Sequence, residues 1–186
     1  MHLGHRTTRD LDLFWRNRAR LEELPQVVAQ QLEEGGLAVA TIRSAPAFVR
    51  LRVTDEHSAV VVDLIAETTD SIEPPTLHSV GTAEILVDSP RAILAEKLCA
   101  LLERSEIRDL VDVDALLKSG ESLEVAVVDA PRRDSGFSPL TLAWVLRDFE
   151  VRVLAPSAGL DDAAVAALDT FRVALIDHLV DLGTKT

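Results

Sequence analysis

Within Gly4-His5-Arg6-Thr7-Thr8-Arg9-Asp10-Leu11-Asp12-Leu13-Phe14-Trp15, two carboxylates stand two positions apart among β-favouring apolar residues. Side chains at i and i+2 of a strand share a face. As a strand, this segment sends Asp10 and Asp12 to one point in space and turns Leu11 and Leu13 toward a core. Converging carboxylates repel unless a positive charge sits between them. A hard divalent cation such as Mg²⁺, which prefers oxygen ligands, meets that need. Taken alone, such a pair is more often two solvated residues at a strand end.

Size and charge narrow the field. The chain has 186 residues, enough for one ordinary domain or one domain with a helical extension. At 47% hydrophobic it can bury a core. The net charge of -12 disfavours general, sequence-blind binding to nucleic acid, which needs basic surface. Residues 1–50 are nearly balanced, with seven Arg against six Asp or Glu, so the negative excess lies beyond them. Arg6, Arg9, Arg16, Arg18 and Arg20 flank the Asp pair. A basic rim around an acidic centre suits a phosphate-bearing substrate, although solvated arginines look the same in sequence. Cys99 is the lone cysteine, lies in an apolar helical stretch and reads as a small buried hydrophobe. The longest uncharged run, Ser135 to Leu146, is too short for a membrane span, and no signal-peptide pattern opens the chain. A cytoplasmic protein without membrane contact is expected.

Periodicity predicts a strand at Leu11–Trp15 and a helix at Leu21–Glu34. That helix carries Val27, Val28 and Leu32 on its apolar face, holds Pro25 in its first turn and stops at Gly35-Gly36. Strands follow at Ala38–Arg43, Phe48–Thr54 and Ala59–Ala66, the last two joined by a hairpin turn. The stretch from Thr68 to Asp88 is irregular around Pro74-Pro75, with room for a short strand at Glu84–Val87. Ser89-Pro90 is an N-cap followed by proline, opening a helix to about Arg104. Helices are predicted at Glu106–Lys118, Ser138–Phe149 and Asp161–Leu182. Leu123–Ala130 fits helix or strand. The order implies an α+β fold: a small mixed or antiparallel sheet with a flanking helix, then a helical half. The boundary is placed near Asp88, dividing the chain into residues 1–88 and 89–186.

Four further groups carry chemistry. Asp63 sits in the apolar run Val60-Val61-Val62-Asp63-Leu64-Ile65, so it is either surface-facing or buried with a partner. A neighbouring strand that brings it beside Asp10 and Asp12 builds a three-carboxylate cluster able to hold Mg²⁺ for phosphoryl transfer. Lys97 falls on the edge of the face formed by Leu94, Leu98, Leu101 and Leu102. There it either snorkels to solvent or binds phosphates. Asp109 and Asp112 share a helix face, and Arg108 stands four residues before Asp112. On an exposed helix this is an ordinary salt bridge; on a buried one it is a polar seam that organises a site. His2, His5, His57, His78 and His178 lack zinc spacing. No dinucleotide or Walker loop exists, and no serine sits in a nucleophile elbow.

Residues 4–14, the strand with Asp63, Ser89–Leu98 and Arg108–Asp112 together resemble the AbiEii/AbiGii toxin family over roughly residues 1–150. These are nucleotidyltransferase-like proteins of the DNA polymerase β superfamily. The resemblance implies a toxin of a bacterial toxin–antitoxin or abortive-infection system, with a cognate antitoxin as partner. It implies transfer of a nucleotide from an NTP, in some members to the acceptor end of tRNA. Asp10 and Asp12 match the metal-binding Asp-x-Asp, and Asp63 matches the third carboxylate. Arg6 and Thr8 belong to the turn expected to meet the nucleotide. Lys97 matches a lysine that contacts nucleotide phosphates, and Asp109 or Asp112 matches the acid after it. The family's first motif begins with a Gly-Gly or Gly-Ser turn some ten or more residues upstream of the Asp pair. The chain begins Met1-His2-Leu3-Gly4, so an N-terminally truncated copy or an upstream start is expected, with weak triphosphate binding. A non-catalytic relative acting by binding alone, or a phosphohydrolase using the same carboxylates, stands beside the transferase reading.

Overall fold

Alternation decides the first unit. The fold is α+β, and a computed structural model describes residues 10–81 and 83–185. The first strand, β1 (Asp10–Arg16), leads through α1 (Leu24–Glu34) to β2 (Ala38–Ala45), β3 (Phe48–Thr54) and β4 (Ala59–Glu67). The sheet order is β1-β4-β3-β2, with β1 parallel to β4 and the other neighbours antiparallel. Val49, Leu51 and Val53 of β3 and Val62 and Leu64 of β4 are buried on one face. Leu24, Val28 and Leu32, spaced four apart along α1, pack against them together with Leu13 and Trp15. The alternate residues, Phe48, Arg50 and Arg52 among them, therefore occupy the opposite face.

Three details depart from the periodic expectation. Leu21 is buried but not helical: its N–H donates to Pro46 O at 2.8 Å, Glu22 has φ of 53°, and the helix starts at Leu24. Val27 is 49% exposed, because the packed stripe of α1 follows a spacing of four and leaves it outside. Leu11 is 41% exposed, since β1 is an edge strand and the core does not reach over its start. In β2 the register shifts between Thr41 and Arg43, and Arg43 comes opposite Arg50.

Among the described residues the compact units divide between Asp70 and Ser71, not near Asp88. The difference is a two-stranded hairpin, β5 (Thr76–Val80) with β6 (Ala83–Val87), which clusters with the helices. Pro74-Pro75 masks β5 in the sequence, because the prolines interrupt any periodic pattern before the strand begins. The helices of this second unit are α2 (Pro90–Arg104), α3 (Ile107–Lys118), α4 (Leu123–Asp129), α5 (Pro139–Arg147), α6 (Val151–Ala158) and α7 (Asp162–Thr184). Leu94, Leu98, Leu101, Leu110, Leu142, Leu146 and Leu179 form the solvent-free centre of their core. The ambiguous stretch after Gly120 is the helix α4, capped by Ser122, whose side chain accepts from Val125 N. The tail resolves into α6 and α7. Gly159 ends α6 at φ of 67°, and Asp161 caps α7 by accepting from Ala164 N at 2.8 Å. Among the described residues no helix is long and apolar enough to cross a membrane.

The predicted cap at Ser89 is present: its Oγ accepts from Ala92 N at 3.1 Å and donates to Glu73 Oε2 at 2.5 Å. Ser89→Ala removes both bonds and is expected to cost about 1 kcal/mol of stability. A urea melt of the full chain, read as a lower midpoint at unchanged slope, checks it.

Candidate active site

The parallel pairing of β1 with β4 sets Asp12 directly opposite Asp63, and Asp10 opposite Val61. On the other side of β4, Arg50 lies opposite Asp63 and Arg52 opposite Val61. Paired residues share a face, so Asp10, Asp12, Asp63, Arg50 and Arg52 all stand on the face away from α1. The expected gathering of the three acids on one face is thus present in the backbone. Their side chains do not form a shared metal cage. Among the described residues no three His, Cys, Asp or Glu groups come close enough to hold one ion.

The reason is Arg50. Its Nε donates to Asp63 Oδ1 at 2.8 Å and its Nη2 to Asp63 Oδ2 at 2.6 Å. Both carboxylate oxygens of the buried Asp63 are taken by one guanidinium. The hydrogen bond to Asp63 holds Arg50 above its ordinary pKa against the opposing effect of burial, and the charges of Asp63, Asp10 and Asp12 add to it. Phe48 braces the same guanidinium, which lies 5.6 Å from the ring centroid, and Arg43 lies 5.6 Å from that ring as well. Arg50 was not among the candidates read from the sequence. The alternation of Phe48, Arg50 and Arg52 with Val49, Leu51 and Val53 could have placed it off the apolar face, but its partner depends on the register of β3 with β4.

Asp10 and Asp12 are the carboxylates that could hold a hard cation. Mg²⁺ commonly binds through one or two carboxylates and completes its shell with substrate phosphates and water. Within the expected basic rim, Arg16 is engaged by Glu67 and lies 5.2 Å from the Phe14 ring. Arg18 and Arg20 are exposed. Arg6, Thr8 and Arg9 lie outside the described residues.

The other predicted group assembles inside the helical unit. Lys97 Nζ reaches Asp109 Oδ1 at 2.9 Å and Asp112 Oδ2 at 2.7 Å. Arg104 grips Asp109 a second time, Nε to Oδ2 at 2.8 Å and Nη2 to Oδ1 at 3.0 Å. Both acids are buried. Lys97 does not snorkel free to solvent; it forms a clasp between α2 and α3. Burial opposes the Lys97 charge, yet its bonds to Asp109 and Asp112 hold its pKa above the ordinary value. Burial likewise opposes the Asp109 charge, and bonds from Arg104 and Lys97 overcome it, so its pKa is lowered from 3.8. Arg108 reaches Glu106 at 3.2 Å on the surface.

With this geometry in place, the likeness to known proteins can be read. The model of the nucleotidyl transferase AbiEii toxin family, of type IV toxin–antitoxin systems, matches residues 1–172. The chain belongs to the AbiEii family. MenT4, a nucleotidyltransferase toxin of Mycobacterium tuberculosis, shares the fold of this AbiEii protein with a TM-score of 0.61. The two are 19% identical over 95% of this chain and 71% of MenT4. JHP933 of Helicobacter pylori superposes with a TM-score of 0.48 at 16% identity, over 99% of this chain and 82% of its own. No curated protein sequence matches the chain.

The Asp109 network predicts an acid response. A depressed native pKa contributes stability in full above the unfolded value near 4, and that contribution drains away as pH falls through the native value. Asp109→Ala leaves Lys97 with one buried partner fewer and is expected to cost about 3 kcal/mol at neutral pH. Denaturant midpoints at about pH 7 and about pH 3 are expected to differ more for the wild type than for Asp109→Asn.

Proposed function

We propose that this AbiEii-family chain is a Mg²⁺-dependent nucleotidyltransferase toxin that moves a nucleotide from an NTP to an acceptor such as tRNA. The observation that carries the reading is the row of charges on the face of the sheet away from α1: Asp10 and Asp12 two positions apart on one strand, with the Arg50–Asp63 pair next to them. Asp10 and Asp12 would hold the ion. Bound there, Mg²⁺ neutralises charge on the triphosphate. In the transfer, an acceptor hydroxyl oxygen bonds to the α-phosphorus, the bond from that phosphorus to the bridging oxygen breaks, pyrophosphate leaves and the hydroxyl proton is released. Asp10 and Asp12 orient the reacting phosphate rather than bond to it.

Lys97, held as a cation by Asp109 and Asp112 within the helical unit, carries in this proposal the phosphate contact that the family resemblance gives it. Asp109 and Asp112 set its position. The partners of the proposal are an NTP, an RNA acceptor and a cognate antitoxin. The working compartment is the cytoplasm, where the first two are found.

Asp12→Asn is expected to abolish growth inhibition and transfer of labelled nucleotide to bulk tRNA, with an unchanged melting profile. A variant that stays fully toxic and active overturns the catalytic assignment. Label recovered as free nucleotide identifies hydrolysis instead. Calorimetry that detects NTP and Mg²⁺ binding without any transfer identifies a relative that acts by binding alone.

A further inference from the structure

Asp63 is buried, its side chain 7% exposed, while the guanidinium that grips it belongs to a side chain 44% exposed. The pair therefore has an inner end and an outer end. We propose that Arg50 is a polyphosphate-binding residue and that Asp63 is its positioning carboxylate, not a third metal ligand. The inference rests on the nucleotidyltransferase reading above and names the group that receives the phosphates.

The guanidinium has two forked edges. Asp63 takes the edge formed by Nε and Nη2. Among the described residues the edge formed by Nη1 and the second Nη2 hydrogen meets no acceptor. A free fork of two N–H groups matches two oxygens of one phosphate. Its orientation is already set, by two bonds to Asp63 and by the Phe48 ring at 5.6 Å, so less side-chain freedom is lost when an anion binds. Arg50 stands two strands from Asp12 in the same row, a separation of about 10 Å between backbones. A chain of phosphates spans that distance with the help of a long arginine side chain. The same geometry argues against Asp63 as a ligand. A divalent ion at its oxygens would sit against a guanidinium already 2.6 Å from one of them, and like charges at such range repel strongly.

Arg52 supplies an internal control. It shares the face two residues along the same strand, opposite Val61, and among the described residues no carboxylate clamps it. If charge alone drew phosphates, the two arginines would count equally.

The full-length chain is titrated by calorimetry with inorganic tripolyphosphate in the presence of Mn²⁺, and with Mn²⁺ alone. Arg50→Gln is expected to weaken tripolyphosphate binding by about tenfold or more while Mn²⁺ binding stays unchanged or tightens. Arg52→Gln is expected to shift tripolyphosphate binding less than about threefold. Asp63→Asn is expected to weaken tripolyphosphate as Arg50→Gln does, and the double variant to bind no more weakly than Arg50→Gln alone. Arg50→Lys recovers part of the loss. The proposal is overturned if Asp63→Asn lowers Mn²⁺ affinity as much as Asp12→Asn does, or if Arg50→Gln has no larger effect than Arg52→Gln. Should Asp63→Asn fail to fold, the Arg50 and Arg52 arms decide the matter. Wild-type protein that binds neither Mn²⁺ nor tripolyphosphate overturns the nucleotidyltransferase reading together with this inference; binding by the wild type that ignores Arg50 overturns the inference alone.

Discussion

The register of β4 between β1 and β3 governs the acid face. It sets Asp63 directly beside Asp12, and carboxylates opposite one another on a sheet destabilise it. Moving the charges elsewhere is not open to the chain. The other face is filled by Val49, Leu51, Val53, Val62 and Leu64, and a single-residue slip would drive every charge into that core. The repulsion must therefore be relieved in place. Arg50, the cross-strand neighbour of Asp63 on its far side, relieves it with a two-pronged bond. The outcome is a face that sets Asp10, Asp12 and Asp63 on β1 and β4 beside Arg50 and Arg52 on β3.

The helical unit solves a similar problem by similar means. Asp109 and Asp112 are buried on α3, and a buried carboxylate without a partner costs several kcal/mol. Lys97 from α2 serves both, and Arg104 serves Asp109 again. Asp129 on α4 shows the pattern once more, with Arg91 Nε at 2.7 Å. In each case a cation at the rim of the core reaches inward to an acid that cannot reach out. Such arrangements hold their members in one geometry, and a lysine so held keeps its charge.

Much of this was legible along the chain. The strand over Leu11–Trp15, the cap at Ser89 and the stop at Gly35-Gly36 all rest on residues within a few positions of one another. What escaped was non-local. Leu11 and Val27 look like core residues by period, yet each lies where the sheet or the helix runs out of neighbours. The strand β5 was hidden by the prolines before it, and its allegiance to the helices moved the division of the chain from Asp88 to Asp70. The spacing of four offers Arg108 to Asp112, but nothing local reveals that Lys97, fifteen positions earlier in sequence, also holds that acid.

By itself, then, the sequence settled that Asp10 and Asp12 share a strand face and that a helix begins after Ser89. Those are consequences of helical and strand periods and of caps, all short-range. Only the tertiary structure decided that Asp63 belongs to an arginine thirteen positions before it, and that Lys97 is claimed by two buried acids. Ion pairs follow strand register and helix packing, and these are set by the burial of the whole apolar face, which no local window contains.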